Sequence, residues 1–255
     1  MKLFFRKIGE GRPLIILHGL FGMSDNWTTL SKSFSEQGFS CYLVDQRNHG
    51  RSPHSFEFNY KVLSDDLLEL IEDQRLSVVD IIGHSMGAKT AMFFSSENAN
   101  RIGKMVIADM APKYYEPHHQ AVLAAIHSVD PAKATSRREV EEKLRMALKD
   151  EATIQFLLKN LYWNDQEKLD WRFGFREIEQ NIDETGKALP SGLHIDVQVL
   201  FIRGQRSGYI TADDEIVIPK IFSKATFATV QDAGHWLHAD QPKAFFDIVI
   251  DFLMK

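Results

Sequence analysis

The chain has 255 residues, 44% hydrophobic and 25% charged, with 30 Lys and Arg against 35 Asp and Glu for a net charge of −5. That balance excludes intrinsic disorder, collagen-like repeats and coiled coil, and the lack of a cationic surplus speaks against a nucleic-acid partner. With one cysteine, Cys41, no internal disulfide can form.

At roughly 100–200 residues per domain, the length suits one large α/β domain or a domain with a sizeable insertion. The opening residues, 1–7, are too short an apolar stretch for a signal peptide. No apolar run reaches the ~18–20 residues that span a bilayer, so the expected compartment is the cytoplasm.

Along the chain, short apolar runs alternate with longer amphipathic stretches, the pattern of a mainly parallel sheet covered by helices. Strands are predicted at 14–17, 41–44, 78–82, 105–108 and 197–202, with another near 225–230. Runs this short and apolar on both faces suit central parallel strands, and Cys41 within one of them reads as a buried, inert thiol. A helix over 60–74 sets Val62, Leu63, Leu67, Leu70 and Ile71 on one stripe. A last helix spans 244–254, with Pro242 near its first turn.

After Asp109 the alternation breaks. From about 112 to 193 there are only helix signals: Asp130-Pro131 as N-cap and first-turn proline, then Ser136 and Glu139 as a capping box. A further helix is predicted from Asp150, carrying Ile154, Phe156, Leu157, Leu158 and Leu161, and 186–192 reads as a linker back to the sheet. The expected division is therefore a core of 1–111 and 194–255 with a helical lid over 112–193. An insertion so placed lies over the C-terminal strand edge, where ligands bind.

The strongest local signal is Gly83-His84-Ser85-Met86-Gly87, between an apolar run and a helix pattern. Strand, sharp turn and helix make the setting of a nucleophile elbow, with glycines permitting the turn and a serine exposed at its tip. A serine hydroxyl needs a base. His235, in Asp232-Ala233-Gly234-His235-Trp236, follows the last predicted strand and so reaches the same sheet edge. His238 is the second choice and more in keeping with packing. His118, His119, His127 and His194 read as surface or packing residues, and the histidines show no metal-binding spacing, so neither a metal nor a cofactor is expected.

An oxyanion needs two preorganised N–H donors. His18-Gly19-Leu20-Phe21-Gly22 closes the first predicted strand, and its Leu20 amide, with Phe21 as second choice, pairs with that of Met86. The alternative reading of the loop is a plain glycine-rich turn. Asp45, Arg47 and His49 read as a supporting loop rather than as chemical groups.

Four motifs in order, His18-Gly19, Asp45-Gln46-Arg47-Asn48-His49-Gly50-Arg51-Ser52, Gly83–Gly87 and Gly234-His235, resemble the α/β-hydrolase superfamily over nearly the whole chain. Asp109-Met110-Ala111-Pro112 and Gly234-His235-Trp236-Leu237-His238-Ala239-Asp240 bring the resemblance closer to the YbfF-type bacterial esterases. It implies an α/β-hydrolase fold, a mainly parallel sheet with a helical lid after the sixth strand. It also implies a serine hydrolase of acyl esters and thioesters, including acyl-CoA-like substrates, with Ser85 as nucleophile and His235 as base.

The triad acid departs from the superfamily pattern. Where a carboxylate is expected after 197–202, the chain reads Gly204-Gln205-Arg206-Ser207. Asp109, ending a strand expected beside that of Ser85, is the preferred acid; Asp213 or Asp214, or a dyad without acid, are the alternatives. Among the aromatic residues, Phe21, Trp163 and Trp236 are the candidates for contact with substrate, and apolar side chains lining the crevice favour an apolar acyl group. Two rival functions share the scaffold: a carbon–carbon bond hydrolase or lyase, and a slow-turnover small-molecule receptor. A monomer or small homo-oligomer acting on a small molecule is expected in every case.

Overall fold

The computed structural model describes residues 1–116 and 119–255. In chain order it runs β1 (Phe5–Ile8), β2 (Arg12–Leu17), α1 (Thr28–Glu36), β3 (Phe39–Val44), α2 (Tyr60–Asp73), β4 (Val79–His84), α3 (Met86–Asn98) and β5 (Ile102–Ala108). Then come α4 (Gln120–His127), α5 (Arg137–Ala147), α6 (Glu151–Leu158), β6 (Leu161–Trp163), β7 (Leu169–Trp171) and α7 (Phe175–Glu179). The chain closes with β8 (Ile195–Gly204), α8 (Ala212–Ile221), β9 (Phe222–Val230), α9 (Leu237–Asp240) and α10 (Pro242–Met254).

Seven strands form one sheet in the order β1-β3-β2-β4-β5-β8-β9, parallel throughout except for β1. Alternate residues of each strand enter opposite layers. On one face Ile15, Ile81, Ile107 and Phe201 pack with Leu67, Leu70 and Ile71 of α2 and Ala88, Ala91 and Met92 of α3. On the other, Leu14, Ile82, Val106 and Leu200 pack with Leu30 and Phe34 of α1 and Phe245, Val249 and Leu253 of α10. Cys41 lies in this second layer, and burial pushes its thiol up to about 12, which makes it inert. α2 begins where the side chain of Asn59 accepts the Val62 amide, and its stripe is buried except for Val62, which is half-exposed. No helix of the described residues is long and apolar enough to cross a membrane.

Three features depart from the sequence reading. The insertion follows β5, the fifth strand in chain order rather than the sixth, and it is not wholly helical. β6 and β7 pair as an antiparallel hairpin with Leu161 opposite Trp171, so α6 ends at Leu158 and Leu161 belongs to a strand. Strands of three residues carry too little alternation to announce themselves. The strand β1 escapes for a related reason: at the sheet edge it is only half-buried and has no apolar run.

The insertion has a core of its own, in which Val140, Leu144, Ile154, Leu157, Leu161, Trp171 and Phe173 meet Phe21, Leu63 and Met86 of the sheet domain. Its two ends are tied together at the base. Tyr115 N–H donates to Gly186 O at 2.8 Å and Leu189 N–H to Pro112 O at 2.9 Å. Lys89, on α3 and 0% exposed, donates through Nζ to Lys113 O at 2.5 Å and Lys187 O at 2.6 Å. Burial, with Lys113 nearby, pushes the Lys89 ammonium down to about 7 from an ordinary 10.5.

Between those two values the unfolded chain binds more protons at this site than the native one, so this lysine makes stability rise with pH from about 7 towards 10. In Lys89→Met that contribution is gone. The stability difference, wild type minus variant, is expected to grow over that interval in urea titrations; a difference independent of pH would contradict the assignment.

Candidate active site

Ser85 stands between β4 and α3 with φ 52° and ψ −115°, a backbone conformation that a non-glycine residue adopts only when its surroundings impose it. Its N–H donates to Ala108 O at 3.1 Å and its carbonyl accepts Lys89 N–H at 3.1 Å, which pins the turn to β5 and to α3. Gly87 lets the helix start against β2: a Cβ there would lie 2.4 Å from Leu17 O. A side chain at position 87 would therefore push the elbow out of the sheet edge.

The sheet order sets the neighbour. β4 and β5 run parallel with His84 beside Ala108, so the next residues of the two strands, Ser85 and Asp109, leave the same edge side by side. Asp109 is 0% exposed and also takes a positive φ, 52°. Its Oδ2 lies 2.7 Å from His235 Nδ1 and accepts the Ser207 hydroxyl, while Oδ1 accepts Gly204 N–H at 3.1 Å. Thus Ser207, in the stretch where a carboxylate is the superfamily habit, hydrogen-bonds the carboxylate that comes from β5.

Tyr209 stacks on the His235 ring at 3.9 Å and 16°, and His84 Nε2–H donates to His235 O at 2.9 Å. Of the two alternative acids, one is engaged elsewhere and the other is exposed. Asp214 caps α8 through Thr211 and pairs with Lys113 at 2.6 Å, and Asp213 lies exposed in the same first turn. His238 is a packing residue, stacked on Trp27 at 4.3 Å, and burial with His235 nearby pushes it down to about 3. His84 is held far below the ordinary histidine range by burial and by its histidine neighbours.

The loop after β2 approaches the elbow so closely that a Cβ on Gly19 would come within 2.9 Å of His84 Nδ1 and 3.2 Å of Ser85 Cβ. Two buried histidines hold it. His18 Nδ1–H donates to Gly19 O at 2.8 Å while its Nε2 accepts Gln46 N–H at 3.0 Å. His49 Nδ1–H donates to Arg47 O at 2.9 Å while its Nε2 accepts Phe21 N–H at 3.0 Å. Each ring must be neutral to accept, and burial pushes them down to about 4 and about 3 respectively.

The loop carrying His49 is itself fixed. Asp45 accepts Ser24 N–H at 2.6 Å and Arg51 N–H at 2.9 Å, and Arg47 grips Asp66 at 2.6 and 2.9 Å. Phe21 N–H is thereby committed to His49. Leu20 N–H has no acceptor among the described residues.

These residues open on a cleft of about 370 Å³, walled by Ser85, His235, Trp27, Phe21, Phe156 and Trp236 among others. The Phe156 and Trp236 rings stand 5.3 Å apart across the insertion and the sheet domain. Phe21 also packs edge-on against Phe173 at 5.0 Å. Trp163 sits at the end of the β6–β7 hairpin, 52% exposed, and is not among the residues that wall the cleft. An aromatic side chain in an insertion does not reveal which way its strand faces. His119 lines the cleft rather than plain surface, and His118 lies outside the described residues. Among the described residues no group of three or more His, Cys, Asp or Glu is placed to hold a metal ion.

Sequence reasoning missed Ser207 and Tyr209. Both reach the site across the fold, and a serine or tyrosine in a loop has no spacing that signals its partner. Only the departure of 204–207 from the usual acid pattern pointed towards that stretch.

The model of the alpha/beta hydrolase fold family matches residues 12–242. The chain is 33% identical over 252 residues to an sn-1-specific diacylglycerol lipase ABHD11 of Danio rerio, covering 96% of this chain and 79% of that one. It is 33% identical over 244 residues to Esterase YbfF of Escherichia coli (strain K12), covering 94% and 92%. A solved structure of a marine microorganism esterase superposes with a TM-score of 0.96 at 41% identity, covering 98% of this chain and 99% of that one. With its sheet order, its strained serine elbow and these relatives, the chain belongs to the α/β-hydrolase fold family.

Proposed function

We propose that the chain hydrolyses carboxylic esters, and acyl thioesters by the same chemistry, through an acyl-enzyme on Ser85. An ester hydrolase is what its relatives, named as esterases and a lipase, have in common with it. The observation that carries the residue roles is the 2.7 Å contact of buried Asp109 with His235 Nδ1 beside the strained Ser85.

With Nδ1–H donated to Asp109, His235 presents Nε2 as an acceptor. As Ser85 Oγ bonds to the carbonyl carbon, its proton passes to Nε2, and the acyl–oxygen or acyl–sulfur bond breaks as that proton moves to the leaving atom. Water, deprotonated by the same imidazole, then releases the acid and restores Ser85. Asp109 stays ionised and stabilises the imidazolium formed at each step. The Leu20 and Met86 amides hold the oxyanion, a role left to Leu20 in its loop because Phe21 N–H is bonded to His49. Phe21 and Trp236 act as substrate-contacting walls, and 112–193 acts as a lid over the sheet edge.

A panel of p-nitrophenyl esters and acyl-CoA thioesters tests the reading. Multiple turnovers on at least one class are expected. Negligible turnover on every member would replace the hydrolase by the slow receptor.

A further inference from the structure

Two spaces of very different size meet at Ser85. One is the cleft of about 370 Å³, whose wall includes His235. The other is a recess of about 20 Å³ that shares Leu20, His119 and Tyr209 with the cleft and is further lined by Met86, Met110, Tyr115 and Glu116, but not by His235. The proposed acyl transfer assigns one substituent of the reacting carbon to each. The leaving oxygen must receive the proton held by His235, so the alcohol it belongs to lies in the space that His235 borders. The carbonyl oxygen turns to the Leu20 and Met86 amides. The acyl chain is left with the recess.

At about 20 Å³ against about 370 Å³ for the cleft, the recess admits the smaller of the two substituents. Part of its wall is held by hydrogen bonds. Tyr115 accepts Ala111 N–H at 2.8 Å and donates its hydroxyl to Tyr209 O at 2.6 Å, while its own N–H donates to Gly186 O at 2.8 Å. Thr185 O, behind the recess, accepts the Tyr60 hydroxyl at 2.7 Å. Met86 and Met110 are buried. The cleft has the dimensions of a site for a drug-sized molecule and offers the Trp27, Phe156 and Trp236 rings.

We infer that the recess receives the acyl group and the cleft the alcohol, so that this chain removes short acyl groups, acetyl above all, from large apolar alcohols. The inference rests on the roles proposed for Ser85 and His235. It reverses the expectation from sequence that the apolar crevice takes the acyl group. In the reaction the Ser85 Oγ–acyl bond forms, the acyl–oxygen bond breaks, the serine proton departs on the alcohol through His235, and water then yields acetic acid and free Ser85.

Octyl acetate and ethyl octanoate make a direct test, being isomers with leaving alcohols of similar basicity. With the purified protein, kcat/KM for octyl acetate is expected to exceed that for ethyl octanoate by on the order of 100-fold, since each misplaced methylene in a close-packed pocket weakens transition-state binding. Met110→Ala enlarges the recess and is expected to shrink that ratio by about 10-fold. Octyl acetate, butyrate and hexanoate read the same limit on the wild-type protein, with kcat/KM expected to fall at each step. Equal rates, a preference for ethyl octanoate or turnover of neither isomer, with Ser85 still labelled by a fluorophosphonate, overturns the acyl assignment alone. Turnover of neither without labelling overturns the roles of Ser85 and His235 as well.

Discussion

Ser85→Gly is expected to abolish ester turnover, by on the order of 10⁶ in kcat, and to make the protein more stable by about 1 kcal/mol. The two effects have one cause. At φ 52° and ψ −115° the serine is held in a conformation that disfavours any residue with a Cβ by about 1–3 kcal/mol. Glycine adopts it freely, though its looser unfolded chain returns about 0.5–1 kcal/mol of that gain. The strain is sustained by the Ala108 and Lys89 hydrogen bonds and by the close seat of Gly87 on Leu17, which together aim the side chain out of the sheet edge. Urea unfolding and steady-state assays of the same preparation measure both. An inactive variant no more stable than wild type would mean that the elbow stores no strain.

Asp109→Asn is expected to lower kcat by about 10²–10⁴ with the fold intact. An amide in place of the carboxylate can donate to Nδ1, which favours the wrong tautomer of His235, and it cannot stabilise the imidazolium. The surrounding donors sharpen the expectation. Gly204 N–H and the Ser207 hydroxyl both point at the Asp109 oxygens, so they are matched to an acceptor-only group. Asp214→Asn, which disturbs the cap of α8 and the Lys113 pair, is expected to leave kcat within about 3-fold, since that carboxylate makes its contacts away from His235. A large loss in Asp214→Asn with none in Asp109→Asn would reverse the assignment of the acid.

Much of this arrangement was legible in the sequence, for identifiable reasons. Gly83–Gly87 could be read because an elbow needs small residues at fixed positions around the serine. Asp109 could be preferred because alternating runs imply a parallel sheet, and adjacent parallel strands deliver their C-terminal residues to one edge. The central strands were found from their apolar runs, yet with shortened bounds: β9 begins at Phe222, where Ser223 and Lys224 interrupt the apolar pattern that starts at Ala225.

What stayed hidden depends on contacts distant in sequence. Ser207 meets Asp109 across 98 positions, and nothing in either neighbourhood signals the pair. Tyr209 covers His235 only because β8 and β9 end side by side. Composition shows an aromatic and not its direction, so the exposed place of Trp163 at the end of the β6–β7 hairpin was not legible. The placement of β1 and of the β6–β7 hairpin needed a partner strand to become visible, since short edge strands are stabilised by pairing more than by their own pattern.

The central claim is that Ser85, activated by His235 and Asp109, is the nucleophile. Reaction with a fluorophosphonate followed by peptide mass mapping tests it most directly, with residual esterase activity measured in the same tubes. The expected result is one adduct, on the peptide containing Ser85, formed in step with the loss of activity and formed more slowly in Asp109→Asn. An adduct on a different residue, or full ester turnover by protein labelled at Ser85, would contradict the account.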